Sequence, residues 1–333
     1  MITNKRPPEI CFILFCRRAS IILAFLIVVL YPVSSNAFDI LLGAGEKGTF
    51  SNFTARTICR ILNRHADVIT CKAVPTPDDV YNLTNLQGGS LDIVLIDSLM
   101  LHDAINKTGP FEFMDISYDN LRALTPLYDL PITLVVRNDA GIGLLEELKG
   151  KRINAGAPGS FQHLAVDTIM KAKNWSKQDF GRIEALSPSH SQDTMAFCHN
   201  TIQAMLHIGV HPDSSLQQLF RLCKAVMVNM KDSDIKKLVD DHPAYSKTSI
   251  APHTYPSQPE GVTTFGTRVE LIASSDLDEQ TVYKIMDVIY SNQNLLKRSH
   301  PALFSFRMDQ IKKKTIGLPV HPGAARYFKE KNF

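Results

Sequence analysis

Beyond residue 37 the apolar positions fall into short runs that alternate with stretches of helical period. Residues 39–44 form an apolar run leading into Gly43-Ala-Gly45, and 51–63 carry apolar side chains every three or four positions, as an amphipathic helix does. The alternation continues as strand 68–74, helix 78–87 and a nearly all-apolar strand 91–96. Residues 121–128 and 132–137 read as two further strands split at Pro131, because proline withholds a ladder donor. A second series follows: a helix before Gly150, strand 152–155, helix 164–173, and apolar segments at 182–186, 202–208 and 226–230. A Pro- and Gly-rich stretch, 250–261, then leads into strand 262–273, and helices over 279–294 and 310–315 follow.

Strands alternating with helices predict an α/β protein with largely parallel sheets. A chain of this length exceeds one ordinary core, so two lobes are expected. The first comprises residues 38–130 and 262–333, and the second comprises 131–261, with the chain crossing between them twice.

Residues 1–37 have a different character. Lys5, Arg6, Arg17 and Arg18 precede an apolar run over 19–30, and Ser35-Asn36-Ala37 supplies small residues. This three-part pattern predicts a secretory signal peptide cleaved after Ala37, since the run is shorter than the ~20 residues that span a bilayer. The whole chain has 36 basic and 33 acidic residues. Four basic and one acidic residue lie in that leader, so the remaining chain is close to neutral. Its charge therefore gives no reason to expect nucleic acid as a partner. Four of the six cysteines stay with the mature chain: Cys59, Cys71, Cys198 and Cys223. In an exported protein they suggest disulfides. Three connectivities are open, with Cys59–Cys71 and Cys198–Cys223 preferred as the local pairing. A metal site is the weaker alternative, because no CxxC or HxxxH pairing accompanies them; His207 and His211 sit among turn residues and are not expected to bind zinc.

The turn Gly156-Ala-Pro-Gly-Ser160 ends strand 152–155 and opens a helix. Unpaired N–H groups there, beside the positive end of the helix dipole, form an anion cradle. Gly-x-Ser-x-Gly is absent, so no nucleophile elbow or other catalytic constellation is expected, and neither is a cofactor.

An ordered series of motifs sharpens this reading. It runs Gly43-Ala-Gly45 with Gly48-Thr-Phe50, Cys59-Arg-Ile-Leu-Asn63, Gly109-Pro-Phe111, Leu121-Arg-Ala-Leu124 and Leu127-Tyr128. Gly150-Lys-Arg152, Gly156-Ala-Pro-Gly-Ser160, Thr264-Phe-Gly266 and Leu318-Pro-Val-His-Pro-Gly-Ala-Ala-Arg-Tyr327 complete it. From about Asp39 to Lys331 the chain resembles the TAXI family, solute receptors of tripartite ATP-independent (TRAP) transporters. The resemblance implies a periplasmic-binding-protein-like fold of type II, with two α/β lobes around a cleft. It further implies capture of a small anionic solute, an organic acid or amino acid such as a dicarboxylate or glutamate. A monomeric receptor of this kind delivers its solute to a permease driven by an ion gradient. A diverged receptor used for sensing or surface interaction is the alternative, and an exported enzyme on the same fold is the other.

The resemblance also nominates ligand contacts. Gly45 and Gly48 shape the first turn, Thr49 offers a hydroxyl, and Phe50 offers an aromatic wall. Asn82 falls where the family begins a helix with Gly-Ser-Val-x-Asn, Ser98 ends the third strand, and Tyr128 flanks the first crossing. Gly159 and Ser160 keep the anion cradle; Phe161 replaces the family's last glycine, and His163 stands near its usual basic position. Tyr255 and Gln258, on the return connection, are expected to lid the cleft, while the closing His321–Tyr327 segment is expected to be structural. Other positions depart from the family: Thr76-Pro-Asp-Asp79 replaces a Gly-Ser loop, and Asp97 puts an acid where an anionic ligand would be repelled.

Overall fold

A computed structural model describes residues 38–187, 191–306 and 317–332. The leader 1–37 and the helix expected over 310–315 lie outside them. The remaining chain is one mixed sheet flanked by helices. Its strands are β1 (Phe38–Gly43), β2 (Ile69–Val74), β3 (Ile93–Asp97), β4 (Leu121–Arg137), β5 (Arg152–Asn154), β6 (Arg182–Glu184), β7 (Ala204–Ile208), β8 (Ala225–Val228), β9 (Ser246–Ile250) and β10 (Val262–Ser274). The order across the sheet is β2-β1-β3-β10-β4-β7-β5-β6, with β8 beside β4 and β9 beside β10. β1, β2 and β3 are parallel to one another, as are β5, β6 and β7, whereas β4 and β10 run antiparallel to their neighbours and join the two sets.

Pro131 does not split a strand. It lies within the continuous 17-residue β4, opposite Gly266. Its carbonyl accepts from Gly209 N at 3.4 Å. Its missing donor falls at the limit of β7, whose ladder with β4 begins at Ile132. The glycine opposite is compelled: a Cβ on Gly266 would stand 2.2 Å from the Leu130 carbonyl oxygen. The two long strands therefore cross from one half of the molecule to the other in close contact.

Packing follows the halves. In the first, Ile58 and Leu62 of helix Phe50–His65 cover one sheet face together with Ile285, Ile289 and Tyr290 of helix Glu279–Ser291. Leu83 and Leu86 of helix Asp79–Gln87 and Leu101 of helix Ser98–Asn106 cover the other. In the second, helices Phe161–Ala172 and Ser233–Asp241 bury Val166, Ile169 and Ile235 on one side. Helices Gln192–Cys198 and Ser214–Cys223 bury Phe197, Leu216 and Leu219 on the opposite side. The disulfides are Cys59–Cys71, tying helix to β2, and Cys198–Cys223, tying two helices of the second half.

The helix expected before Gly150 is a single turn, Leu145–Leu148, and the expected 279–294 helix breaks at Asn292 into Glu279–Ser291 and Gln293–Ser299. The closing segment packs as a structural element. Tyr327 of helix Pro322–Glu330 stacks on Tyr290 at 5.8 Å, and a Cβ on Gly323 would meet the Glu279 carbonyl oxygen at 2.3 Å.

Candidate functional site

The carboxyl ends of β1, β2 and β3 converge. In open α/β sheets ligands collect at such ends. After β1 the chain turns through Gly45 (φ +33°) and Gly48 (φ +94°), conformations that favour glycine. Thr49 then caps helix Phe50–His65: its Oγ accepts from Asn52 N and donates to the Glu46 carbonyl at 2.8 Å. Phe50 is half-buried, edge-on to Tyr128 at 4.8 Å and tilted against His300 at 4.6 Å. Tyr128 is buried, and its hydroxyl meets Ser51 Oγ at 2.9 Å. Burial and the nearby Asp79 and Asp97 carboxyls push its pKa up. Thr49, Phe50 and Tyr128 thus form one corner, with Ser51 as a partner the sequence did not single out.

Beside this corner lies an acidic recess. Asp97 caps helix Ser98–Asn106 by accepting from Leu99 N at 2.7 Å, and its other oxygen accepts from the Thr267 hydroxyl at 2.5 Å. Asp97 N donates to Asp79 Oδ2 at 3.0 Å, which brings the two carboxyls together. Burial, aided by the charge of Asp97, raises Asp79 to about 7; burial raises Asp97 to about 6. Asp97 is buried, whereas Asp79 is partly accessible. Asn82 is fully buried next to it, with its Oδ1 2.9 Å from where a Cβ on Gly43 would be. The Asn82 amide is close enough to Asp79 to favour the charged carboxylate. Yet among the described residues no hydrogen bond of ordinary geometry reaches its nitrogen or its oxygen, and the buried Thr76 Oγ is also unpartnered. Ser98 is spent elsewhere: its Oγ donates to the Ala244 carbonyl at 2.8 Å and accepts from Arg268 N at 2.9 Å, joining the first half to the second.

In the second half, β5 ends in the turn that Ser160 closes. Gly156 and Gly159 have φ of +79° and +80°. Asn154 Oδ1 holds the turn by accepting from Gly156 N and Leu186 N, and Ser160 Oγ caps the helix by accepting from His163 N at 3.2 Å. No protein acceptor meets the amides of Gly159, Phe161 and Gln162 among the described residues. Phe161 is exposed, and the His163 ring stands 3.7 Å from Asp167 on its own helix. Leu164, one turn in, lines the same interhelical groove as Leu99, two residues after Asp97. Tyr245 bridges that groove; its hydroxyl is hydrogen-bonded to Thr168 and feels the charge of Asp97.

Tyr255 and Gln258 form no lid. Tyr255 is completely buried, its hydroxyl meeting His211 Nδ1 and Asp213 N, both at 2.8 Å, and Gln258 Oε1 accepts from Met227 N at 3.1 Å. An aromatic ring and an amide in a Pro/Gly-rich stretch read alike whether they cover a cleft or hold a loop. Val210 and His211 follow the end of β7. Val210 packs into the first half's core, and His211 is held neutral, its pKa pushed down to about 3 by burial. The signal available for them was their position just past a strand's carboxyl end. Among the described residues no cluster of side chains suits a metal ion.

Two halves, each with helices packed on both sheet faces and joined by crossing strands, have the fold of the periplasmic solute-binding proteins. A TctC solute-binding protein from Polaromonas superposes with a TM-score of 0.53 at 13% identity, covering 82% of this chain and 88% of its own. The periplasmic aliphatic sulphonate-binding protein SsuA from Escherichia coli gives 0.45 at 13% identity over 87% and 78%. A putative L-cystine ABC transporter protein from Listeria monocytogenes gives 0.46 at 13% over 81% and 97%. The chain itself belongs to the NMT1-like family, whose pattern it matches over residues 42–331.

Proposed function

We propose that the protein is an extracytoplasmic solute receptor. It captures a small organic acid or amino acid between its halves, performs no chemistry on it, and hands it to a membrane permease. The observation that carries this reading is the turn at residues 156–160. Its amides are free of protein acceptors at a helix N-terminus. The helix it opens shares a groove with helix Ser98–Asn106 of the other half, through Leu164 and Leu99. A carboxylate on those amides gains both hydrogen bonds and the helix dipole. Closure is a rotation of residues 131–261 against the rest, about the crossings at Pro131–Gly266 and near Gly261. The solute-binding role of the TctC relative supports the class, the likeness to TAXI receptors supports a TRAP-type permease and a monomer, and the three-part pattern of residues 1–37 supports export with cleavage after Ala37.

The test is native mass spectrometry of the purified protein followed by a thermal-shift screen of organic and amino acids. Cleavage after Ala37, a co-purified small acid and a saturating shift are expected; at a hundredfold excess over Kd the stabilisation is about 2.7 kcal/mol. Bare protein with no shift across the panel would sink the receptor reading.

A further inference from the structure

The floor of the recess carries acid without base. Asp79 feels the charge of Asp78 and Asp97, Asp97 feels that of Glu270 on the crossing strand, and the Asp97 charge also reaches Tyr128 and Tyr245. Arg268, on the crossing strand, stands 3.7 Å from Asp129, and its charge lowers the pKa of Glu270. Among the described residues no lysine, arginine or histidine pairs with Asp79 or Asp97. The fully buried Asn82 amide, which lies next to Asp79, and the buried Thr76 hydroxyl make no hydrogen bond of ordinary geometry among the described residues. A buried amide left unpaired costs stability that an apolar side chain would not, so this one is placed for something that enters.

Resting on the receptor reading above, we propose that Asp79 and Asp97, with Asn82, form an ammonium subsite, so that the solute carries a primary ammonium group and is not a dicarboxylate. An ammonium brings three donors and a positive charge. The Asp79 carboxylate and Asn82 Oδ1 supply acceptors, and Asp97 supplies further negative charge. A second carboxylate in the same place would bring like charge into a poorly hydrated recess. The unliganded recess balances its charge with protons instead, since burial holds Asp79 near 7 and Asp97 near 6. Ammonium binding therefore releases a proton near neutral pH, and affinity falls as pH drops below about 7, more steeply below about 6. The carboxylate end of an amino acid is left for the turn at Gly159 and Ser160.

The experiment is isothermal titration calorimetry of the mature protein with the common amino acids, each beside its 2-hydroxy acid, and with glutarate and succinate. The tightest ligand is expected to bear an ammonium and to exceed its hydroxy analogue by about 100-fold or more, as sites built around a donor do. In Asp79→Asn that ratio should shrink to within about threefold while the hydroxy acid binds no worse. Asn at this position removes a buried charge and should melt no lower than wild type; Asp97→Asn, which keeps a capping side chain, provides the second variant. An amine-free acid binding as tightly as any amino compound, or a ratio unchanged in both variants, overturns the subsite and leaves the receptor standing. Silence from every compound, on protein that carries no solute in native mass spectrometry, overturns both.

Discussion

Replacing Glu270 by glutamine takes a charge out of the buried part of the sheet. Glu270 lies in β10 opposite Ile96 and Pro126, it is 1% exposed, and its Oε2 has no hydrogen-bond partner among the described residues. Burial raises its pKa from an ordinary 4.5 to about 7, against a smaller lowering by Arg268. The folded state thus binds the proton more tightly than the unfolded chain does. Its destabilising effect is absent below about pH 4.5, grows between 4.5 and 7, and is complete above 7. At about 1.4 kcal/mol for each tenfold in acidity, the gap amounts to about 3 kcal/mol at pH 8. Glutamine matches the size and does not titrate, so Glu270→Gln should gain stability approaching that figure at pH 8 and none at pH 4. Urea denaturation followed by circular dichroism at several pH values measures it. A variant less stable at pH 8, or a difference constant with pH, would refute the reasoning.

Ser160→Asp should abolish solute binding by placing a carboxylate in the turn, while melting stays within ~1 kcal/mol of wild type because aspartate caps helices as well as serine; calorimetry with retained affinity would remove the turn from the site. Gly266→Ala puts a methyl 2.2 Å from the Leu130 carbonyl oxygen. It should cost several kcal/mol, roughly 3 or more, read as a fall in Tm. Ser98→Ala removes the bonds to Ala244 and Arg268. A loss of about 1–3 kcal/mol by denaturant titration is expected, with an unchanged result meaning that water replaces the hydroxyl.

Long apolar runs and strong periods made the framework legible. β1, β2, β3 and helix Phe50–His65 were all readable from spacing alone. The preferred local disulfide pairing also holds, because each pair is close in sequence, 12 and 25 residues apart. The short helices Gln192–Cys198, Ser214–Cys223 and Ser233–Asp241 escaped, since seven to ten residues give too few turns for a period to stand out. Pro131 misled because the rule against proline in strands concerns the donor, and here the adjacent strand starts one residue further on. At the site, Asp79 and Asp97 were visible only as misfits for an anionic ligand; their union through Asp97 N is a tertiary fact. Tyr255 was misplaced because sequence does not say which way a loop's ring turns.

The position of β10 has a consequence for how the chain is made. It sits between β3 and β4, yet it is synthesised well over a hundred residues after either. Until it arrives, β3 and β4 present open edges on the very sides that will become the centre of the sheet, and such edges invite pairing with other chains. The last-made strand is thus a keystone set between strands already waiting. Cys59–Cys71 closes across only 12 residues. It can lock its helix to β2 before the keystone appears, which leaves one early-made element held in place for the late insertion.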